Sequence, residues 1–367
     1  MKIKRITTYG LHLPLAEIQY LSKGREFTGF DSTFIRIDTD EGLTGWGEIC
    51  PWGNNYLPAF AGGVRSALKV LGPQLIGHDP RRPEVLTRRM DAILPGHLYA
   101  KAGIDYAIWD VIGKAAGMPV YELLGGKEDH AVPISASVHL DTTEAMLGKL
   151  DYWRGRGVTR FSIKMGRGLA DDIEAVRAFS ERRRDGELFI FDANGGWSPW
   201  EATRIINATA DLDVTFEQPC ATYDECVDVR GRTQRPFSLD ECMVEYRDFT
   251  RAIADKSCEI VNVKLARVGG ITRARWIRDL CMQNNIHMLI MCMAGTVVND
   301  TIVAHFAQTL PASRLVGTWS CQDYVTVDAA PGQGARHVDG CMTPPDLPGF
   351  GVEPDLALLG DPLSIFE

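Results

Sequence analysis

Five ionisable residues, Lys164, Asp192, Glu217, Asp240 and Lys264, follow one another at intervals of 28, 25, 23 and 24 residues. Each closes a short apolar run: FSIK, LFIFD, VTFE, FSLD and IVNVK. An interval of this length holds one strand, one helix and two loops, so the ladder predicts parallel strands joined by helices, with charge at successive strand ends. Three carboxylates would then stand together at the mouth of a barrel, with a lysine on either side.

The rest of the chain fits this frame. Further strands are expected at Val132 to Val138, Met288 to Met291 and Leu315 to Gly317, which brings the count to eight. Helices are expected near Asp171 to Arg184 and Pro199 to Thr209. Eight strand-helix units imply a closed parallel barrel with its active site at the strands' C-terminal ends. Ahead of the barrel, strand chemistry near Ile3 and Ile6, at Ser32 to Asp38 and at Leu43 to Ile49 gives way to helical spacing at Ala59 to Leu75, Arg82 to Leu94 and Asp105 to Ala116. The expected division is an α+β domain over residues 1–128, a barrel over 129–339, and a Gly- and Pro-rich segment, about 340–367, that packs back on the first domain.

Composition narrows the partners. A net charge of -9 with both signs interspersed, and no basic run, argues against nucleic acid or an anionic membrane, and points to a small molecule. Nine cysteines without a CxxC pair suit a reduced cytoplasmic setting better than a disulfide framework. The N-terminus lacks the apolar core of a secretory signal, and no uncharged run of 18 apolar residues occurs.

Strand alternation puts Ser162 and Lys164 on one face, and Asn262 and Lys264 on another, pointing into the barrel. Asp192, Glu217 and Asp240 would crowd negative charge there unless a cation offsets it, and hard oxygen ligands suit Mg2+. Lysines after apolar runs also occur as surface residues with buried stems, and strand-end acids also cap helices. Asn194 is a candidate substrate-side amide, with a turn role in Asn194-Gly195-Gly196 as the alternative. A divalent cation on a substrate carboxylate lowers the cost of removing the adjacent proton, and it favours the neutral form of a nearby lysine base. Two lysines on opposite rims can serve opposite faces of one carbon.

These residues, with DEGLTGWGE at 40–48, KAGIDYAIWDVIGKAAGMPVYELLGG at 101–126, SIKMG, FDANGGW, FEQPC, LDE and VKLARVGG, resemble the enolase superfamily, in its muconate lactonising enzyme-like branch. The resemblance covers nearly the whole chain. It implies an α/β fold, a modified TIM barrel of (β/α)7β type under an N-terminal α+β capping domain. It also implies one Mg2+ held by Asp192, Glu217 and Asp240, with Lys164 and Lys264 as acid/base residues. Members of the branch commonly carry Lys-x-Lys on the second barrel strand. Here Ser162 stands at the first of these positions, which removes a positive charge and raises the proton affinity of Lys164.

The seventh-strand loop MLIMCMAGT and the eighth-strand LVGTWS supply no acidic anchor for an acylamino or dipeptide substrate, so a compact substrate is expected. The segment CPWGNNY at 50–56 is similar to that of family members acting on proline derivatives. This implies dehydration of cis-3-hydroxy-L-proline, with epimerisation of a hydroxyproline betaine as the alternative. Tyr56 and Trp319 are the expected pocket residues, with Trp52 beside them. Thr296 is a candidate partner for the hydroxyl or the ring nitrogen, and a simple turn at Gly295-Thr296 is its alternative. A non-catalytic metal-binding protein on the same scaffold is the reading from another class. A homo-oligomer is expected for an enzyme of this type.

Overall fold

The computed structural model describes residues 1–367. Its first sheet is antiparallel. Strands β1 (Ile3–Leu21) and β2 (Arg25–Thr39) form one long hairpin, and β3 (Thr44–Ile49) pairs with the far edge of β2. Ser22, Lys23 and Gly24 make the connecting turn, in which Lys23 and Gly24 both take positive φ, 61° and 66°. Helices α1 (Ala61–Leu71), α2 (Pro83–Ile93), α3 (Leu98–Ala116) and the single turn α4 (Val120–Leu123) complete the capping domain.

Helix α3 starts seven residues before the expected Asp105. Every residue from Tyr99 to Val111 is buried, so the segment has no polar face and no periodicity from which to read its start. The β1 hairpin was legible only at its beginning. Pro14 and a register shift between Pro14 and Gln19 break the alternation that would reveal a strand of 19 residues.

The barrel follows. The expected strand Val132 to Val138 is two short ones. Strand β4 (Val132–Pro133) belongs to an outer ribbon, and β5 (Ser135–Val138) opens the barrel. Then come α5 (Thr143–Arg154), β6 (Arg160–Lys164), α6 (Leu169–Arg182), β7 (Leu188–Asp192), α7 (Pro199–Ala208), β8 (Thr215–Glu217), α8 (Tyr223–Arg230), β9 (Phe237–Leu239) and α9 (Tyr246–Ala254). The series ends with β10 (Ile260–Lys264), α10 (Leu265–Val268), α11 (Ile271–Gln283), β11 (His287–Met291), α12 (Val297–Ala307) and β12 (Leu315–Gly317). The eight strands β5 to β12 pair in chain order, all parallel. The ring closes through a parallel bridge from Ile134 to Thr318, with Ser135 N donating to Thr318 O at 2.7 Å. This is the (β/α)7β barrel. The tail adds β13 (His337–Val338) and β14 (Cys341–Met342), which extend the ribbon from β4, then α13 (Leu356–Leu359) and β15 (Ser364–Phe366), which pairs with β1. No helix is long and apolar enough to cross a membrane.

Helix α12 is buried on every side, and its His305, 0% exposed, sets a stability expectation. Its Nε2 lies 3.0 Å from Phe350 O, its Nδ1 has no partner, and burial pushes its pKa down to about 3. The folded ring is therefore neutral while the unfolded ring titrates near 6.5. Its contribution is complete above that value and is lost as pH falls toward about 3. Moving from pH 7 to pH 5 should cost roughly 2 kcal/mol through this residue. Denaturant midpoints of the wild type and His305→Asn at both pH values should differ by that slope, and equal slopes would show that His305 does not titrate.

Candidate active site

Parallel register aligns the ladder. Lys164 pairs with Asp192 and Asp192 with Glu217, so three strand ends stand side by side. Asp240 lies one residue past β9, where its N–H donates to Gln218 Oε1 at 3.0 Å, and Lys264 ends β10. All five are buried. Lys164 ion-pairs with Asp192, and Lys264 with Asp240 at 2.6 Å, leaving Glu217 between the pairs.

The electrostatics of Glu217 mark the centre of the site. Burial, and then the negative charges of Asp192 and Asp240, hold its carboxyl well above the usual range. Its Oε2 has no hydrogen-bond partner, and Asn262 Nδ2 approaches only its Oε1, at 3.4 Å. Burial by itself would lower the pKa of Lys164, but Asp192 and Glu217 outweigh that and raise it. Asp240 is the reverse case. Burial would raise it, and Arg267 and Lys264 pull it below its ordinary value.

Two further residues join the site that the sequence did not single out. Arg267 Nη2 donates to Asp240 Oδ1 at 2.7 Å, and its Nε donates to Met243 O. Glu241 accepts from Tyr56 and, at 3.0 Å, from Asn194 Nδ2. The signals were the second acid of LDE and the arginine three places after Lys264 in VKLARVGG, each indistinguishable from a surface charge without the fold. With all seven charged groups ionised, four acids (Asp192, Glu217, Asp240, Glu241) face three bases (Lys164, Lys264, Arg267). One divalent cation turns the balance from net -1 to net +1, which suits an incoming carboxylate.

The capping domain closes the mouth. Leu21, Trp52 and Tyr56 from the cap and Ser137, Met291, Met293 and Trp319 from the barrel line the pocket with the two lysines and Asn194. Trp52 and Trp319 stack with ring centroids 5.0 Å apart. The β1–β2 turn presses directly on the loops that carry the ladder. A Cβ on Gly166 or on Gly196 would lie 2.6 Å from Ser22 Cβ, so glycine is required at both. Arg25 Nη2 then donates to Asn194 O at 2.9 Å, tying the hairpin to the loop after β7.

Of the expected pocket residues, Tyr56, Asn194 and Trp319 reach this cavity, and Thr296 does not. Thr296 is fully buried at the N-cap of α12, where its N–H and hydroxyl both donate to Glu48, the hydroxyl at 2.8 Å. Its hydrogen-bonding capacity is already used. Glu48, the last residue of DEGLTGWGE, also accepts from Ser32 Oγ and Asn299 N, and burial nevertheless pushes its pKa up to about 7. This carboxylate fastens the cap to the start of α12. Glu48→Ala would leave those donors unmet, so unfolding by denaturant should show a loss of about 3–5 kcal/mol. A loss below about 1 kcal/mol would show that water replaces the carboxylate.

The donor set discriminates among metals. The carboxylate oxygens of Asp192, Glu217 and Asp240, one of them without a partner, fit a hard divalent ion such as Mg2+. Cys292, Asp300 and Cys321 also bring ligand atoms within 4.8 Å of one another. Two of these three are thiols, which Mg2+ does not favour.

A parallel barrel of this topology, with acids on adjoining strand ends, lysines on both flanks and a cap over the mouth, defines a class of metal-assisted proton-transfer enzyme scaffolds. The family models agree. Residues 146–358 match the enolase C-terminal domain-like family, and residues 30–125 match the mandelate racemase / muconate lactonizing enzyme N-terminal domain. The chain belongs to the enolase superfamily, in its mandelate racemase/muconate lactonizing enzyme branch. It is 42% identical to the cis-3-hydroxy-L-proline dehydratase of Roseibium aggregatum, over 100% of both chains. A hydrophobic dipeptide epimerase of Enterococcus faecalis is 30% identical over 84% of this chain and 87% of its own length. An enolase superfamily member from Roseovarius nubinhibens, solved in complex with magnesium, superposes with a TM-score of 0.96 at 42% identity, covering 100% of this chain and 99% of that one.

Proposed function

We propose that the protein is a Mg2+-dependent cis-3-hydroxy-L-proline dehydratase, a hydro-lyase forming Δ1-pyrroline-2-carboxylate and water. The observation that carries this reading is the arc of Lys164, Asp192, Glu217, Asp240 and Lys264 at successive strand ends, together with full-length similarity to an enzyme of that activity. Asp192, Glu217 and Asp240 would hold the Mg2+, whose charge would offset the negative charge that develops on the substrate carboxylate as the α-proton leaves.

The two lysines divide the remaining work. In cis-3-hydroxy-L-proline the hydroxyl and the carboxylate share one face of the ring, so the Cα–H bond and the C3–O bond lie on opposite faces. One lysine, neutral, takes the Cα proton. The other, as an ammonium, donates a proton to the departing hydroxyl on the opposite face, releasing water. The resulting C2=C3 enamine picks up a proton at C3 and loses one from nitrogen to give the imine. Asn194 and Tyr56, joined through Glu241, hold the mouth of the pocket around the ring. Trp52 Nε1, buried without a partner, is a donor available to a substrate oxygen. The nine free cysteines fit a reduced cytoplasmic setting.

The second reading, epimerisation of a hydroxyproline betaine, draws on the grouping of Trp52, Tyr56 and Trp319, since aromatic faces attract a quaternary nitrogen. The substrates separate the two. The dehydratase should convert cis-3-hydroxy-L-proline and leave both the trans-3 isomer, whose two bonds share a face, and the betaine unchanged. Inversion of the betaine without loss of hydroxyl would establish the epimerase instead.

A further inference from the structure

At the edge of the pocket lies a group of buried side chains that the proposed chemistry does not use. Cys292 directly follows β11, Cys321 lies four residues past β12, and Asp300 stands in the first turn of α12. The two Sγ atoms are 2.9 Å apart, and a carboxylate oxygen of Asp300 lies within 4.8 Å of both. We propose that Cys292, Cys321 and Asp300 form a second metal site, for a thiophilic divalent cation such as zinc or cadmium, separate from the carboxylate arc.

The surroundings supply an independent reason. Glu48 and Asp300 are both fully buried in this region, and each is met by amide, hydroxyl or thiol-residue N–H donors rather than by a lysine or arginine. Cys50 adds a third buried thiol next to Glu48 and Cys292. Burial above all, with the charges of Asp300 and Glu48 adding to it and the hydrogen bond with Cys321 opposing it, pushes the Cys292 thiol above its ordinary value. The cluster thus combines soft ligands with two buried carboxyl groups that no cationic side chain meets, and a divalent cation supplies what it lacks.

The exchange balances. The cation forms bonds to both sulfurs, and the two thiol protons leave to solvent. At a metal–sulfur distance of about 2.3 Å in tetrahedral geometry the sulfurs sit about 3.8 Å apart, so they need to separate by only about 1 Å. Asp300 Oδ1 keeps its hydrogen bond from Cys321 N through one lone pair and offers the other to the metal, while Oδ2 goes on accepting from Gln322 N and Nε2. Cys292 lines the reaction pocket, which gives the cation its way in.

The test uses the full chain saturated with Mg2+ and titrated with Cd2+. An ultraviolet thiolate-to-cadmium charge-transfer band should grow to one cadmium per chain, and Cys321→Ser and Cys292→Ser should each abolish it. Cys258→Ser should keep it. Cadmium on the carboxylate arc gives no such band, so this readout is independent of the dehydratase reading. Two variants are used so that a folding failure in one, seen in its melting with Mg2+ alone, leaves the other decisive. Absence of the band in the wild type, or its survival in either folded variant, would overturn the proposal.

Discussion

Replacement of Lys164 or of Lys264 by alanine is expected to lower turnover of cis-3-hydroxy-L-proline by about 10²–10⁴-fold, the range for loss of a positioned acid or base. The two variants should fail differently. Without the basic lysine the Cα proton stays in place. Without the acidic lysine the proton still exchanges, because abstraction precedes departure of the hydroxyl, and the substrate accumulates deuterium in D2O without losing water. Both lysines form ion pairs at carboxylates in the arc, Lys164 with Asp192 and Lys264 with Asp240, so each variant must retain its thermal transition for the comparison to count. Near-normal turnover in both would sink the two-lysine assignment.

Glu217→Gln should have the second large effect. Glu217 sits between two like charges, and its Oε2 has no partner. The amide keeps the volume and removes the charge. Mg2+ affinity, followed by calorimetry, should drop by at least about 100-fold, with activity at ordinary Mg2+ falling alongside it. In the metal-free protein the same change relieves repulsion from Asp192 and Asp240, so its melting temperature should stay level or rise. A fall of several degrees in the metal-free variant would mean that Glu217 serves packing more than a cation.

The contrast between these residues and the rest of the pocket shows what the sequence could convey. Lys164, Asp192, Glu217, Asp240 and Lys264 were legible because each ends a buried strand, where a charge interrupts an apolar run, and because barrel geometry repeats that interruption at a near-constant interval. The eight barrel strands were legible for the same reason. Helix α3 was visible only in part, since a helix buried on all sides loses the amphipathic signal.

Glu241 and Arg267 were not distinguishable because their roles depend on partners far along the chain. Tyr56 lies 185 residues from Glu241, and Asp240 lies 27 from Arg267. Thr296 misled for a related reason. Its position after the seventh strand is right for a substrate contact, but Glu48, 248 residues away, takes up its donors. The β1 hairpin was the largest omission, and it matters for the site because its tip at Ser22 and Arg25 sets the space allowed to the loops after β6 and β7.

The most direct measurement of the central claim is proton NMR of the Mg2+-loaded protein with cis-3-hydroxy-L-proline in D2O. The account predicts loss of the Cα and C3 carbinol signals together and appearance of Δ1-pyrroline-2-carboxylate carrying solvent deuterium at C3. Disappearance of the Cα signal alone, with the hydroxyl retained and the configuration at Cα inverted, would contradict dehydration and make the protein an epimerase. No change in any signal would contradict the substrate itself.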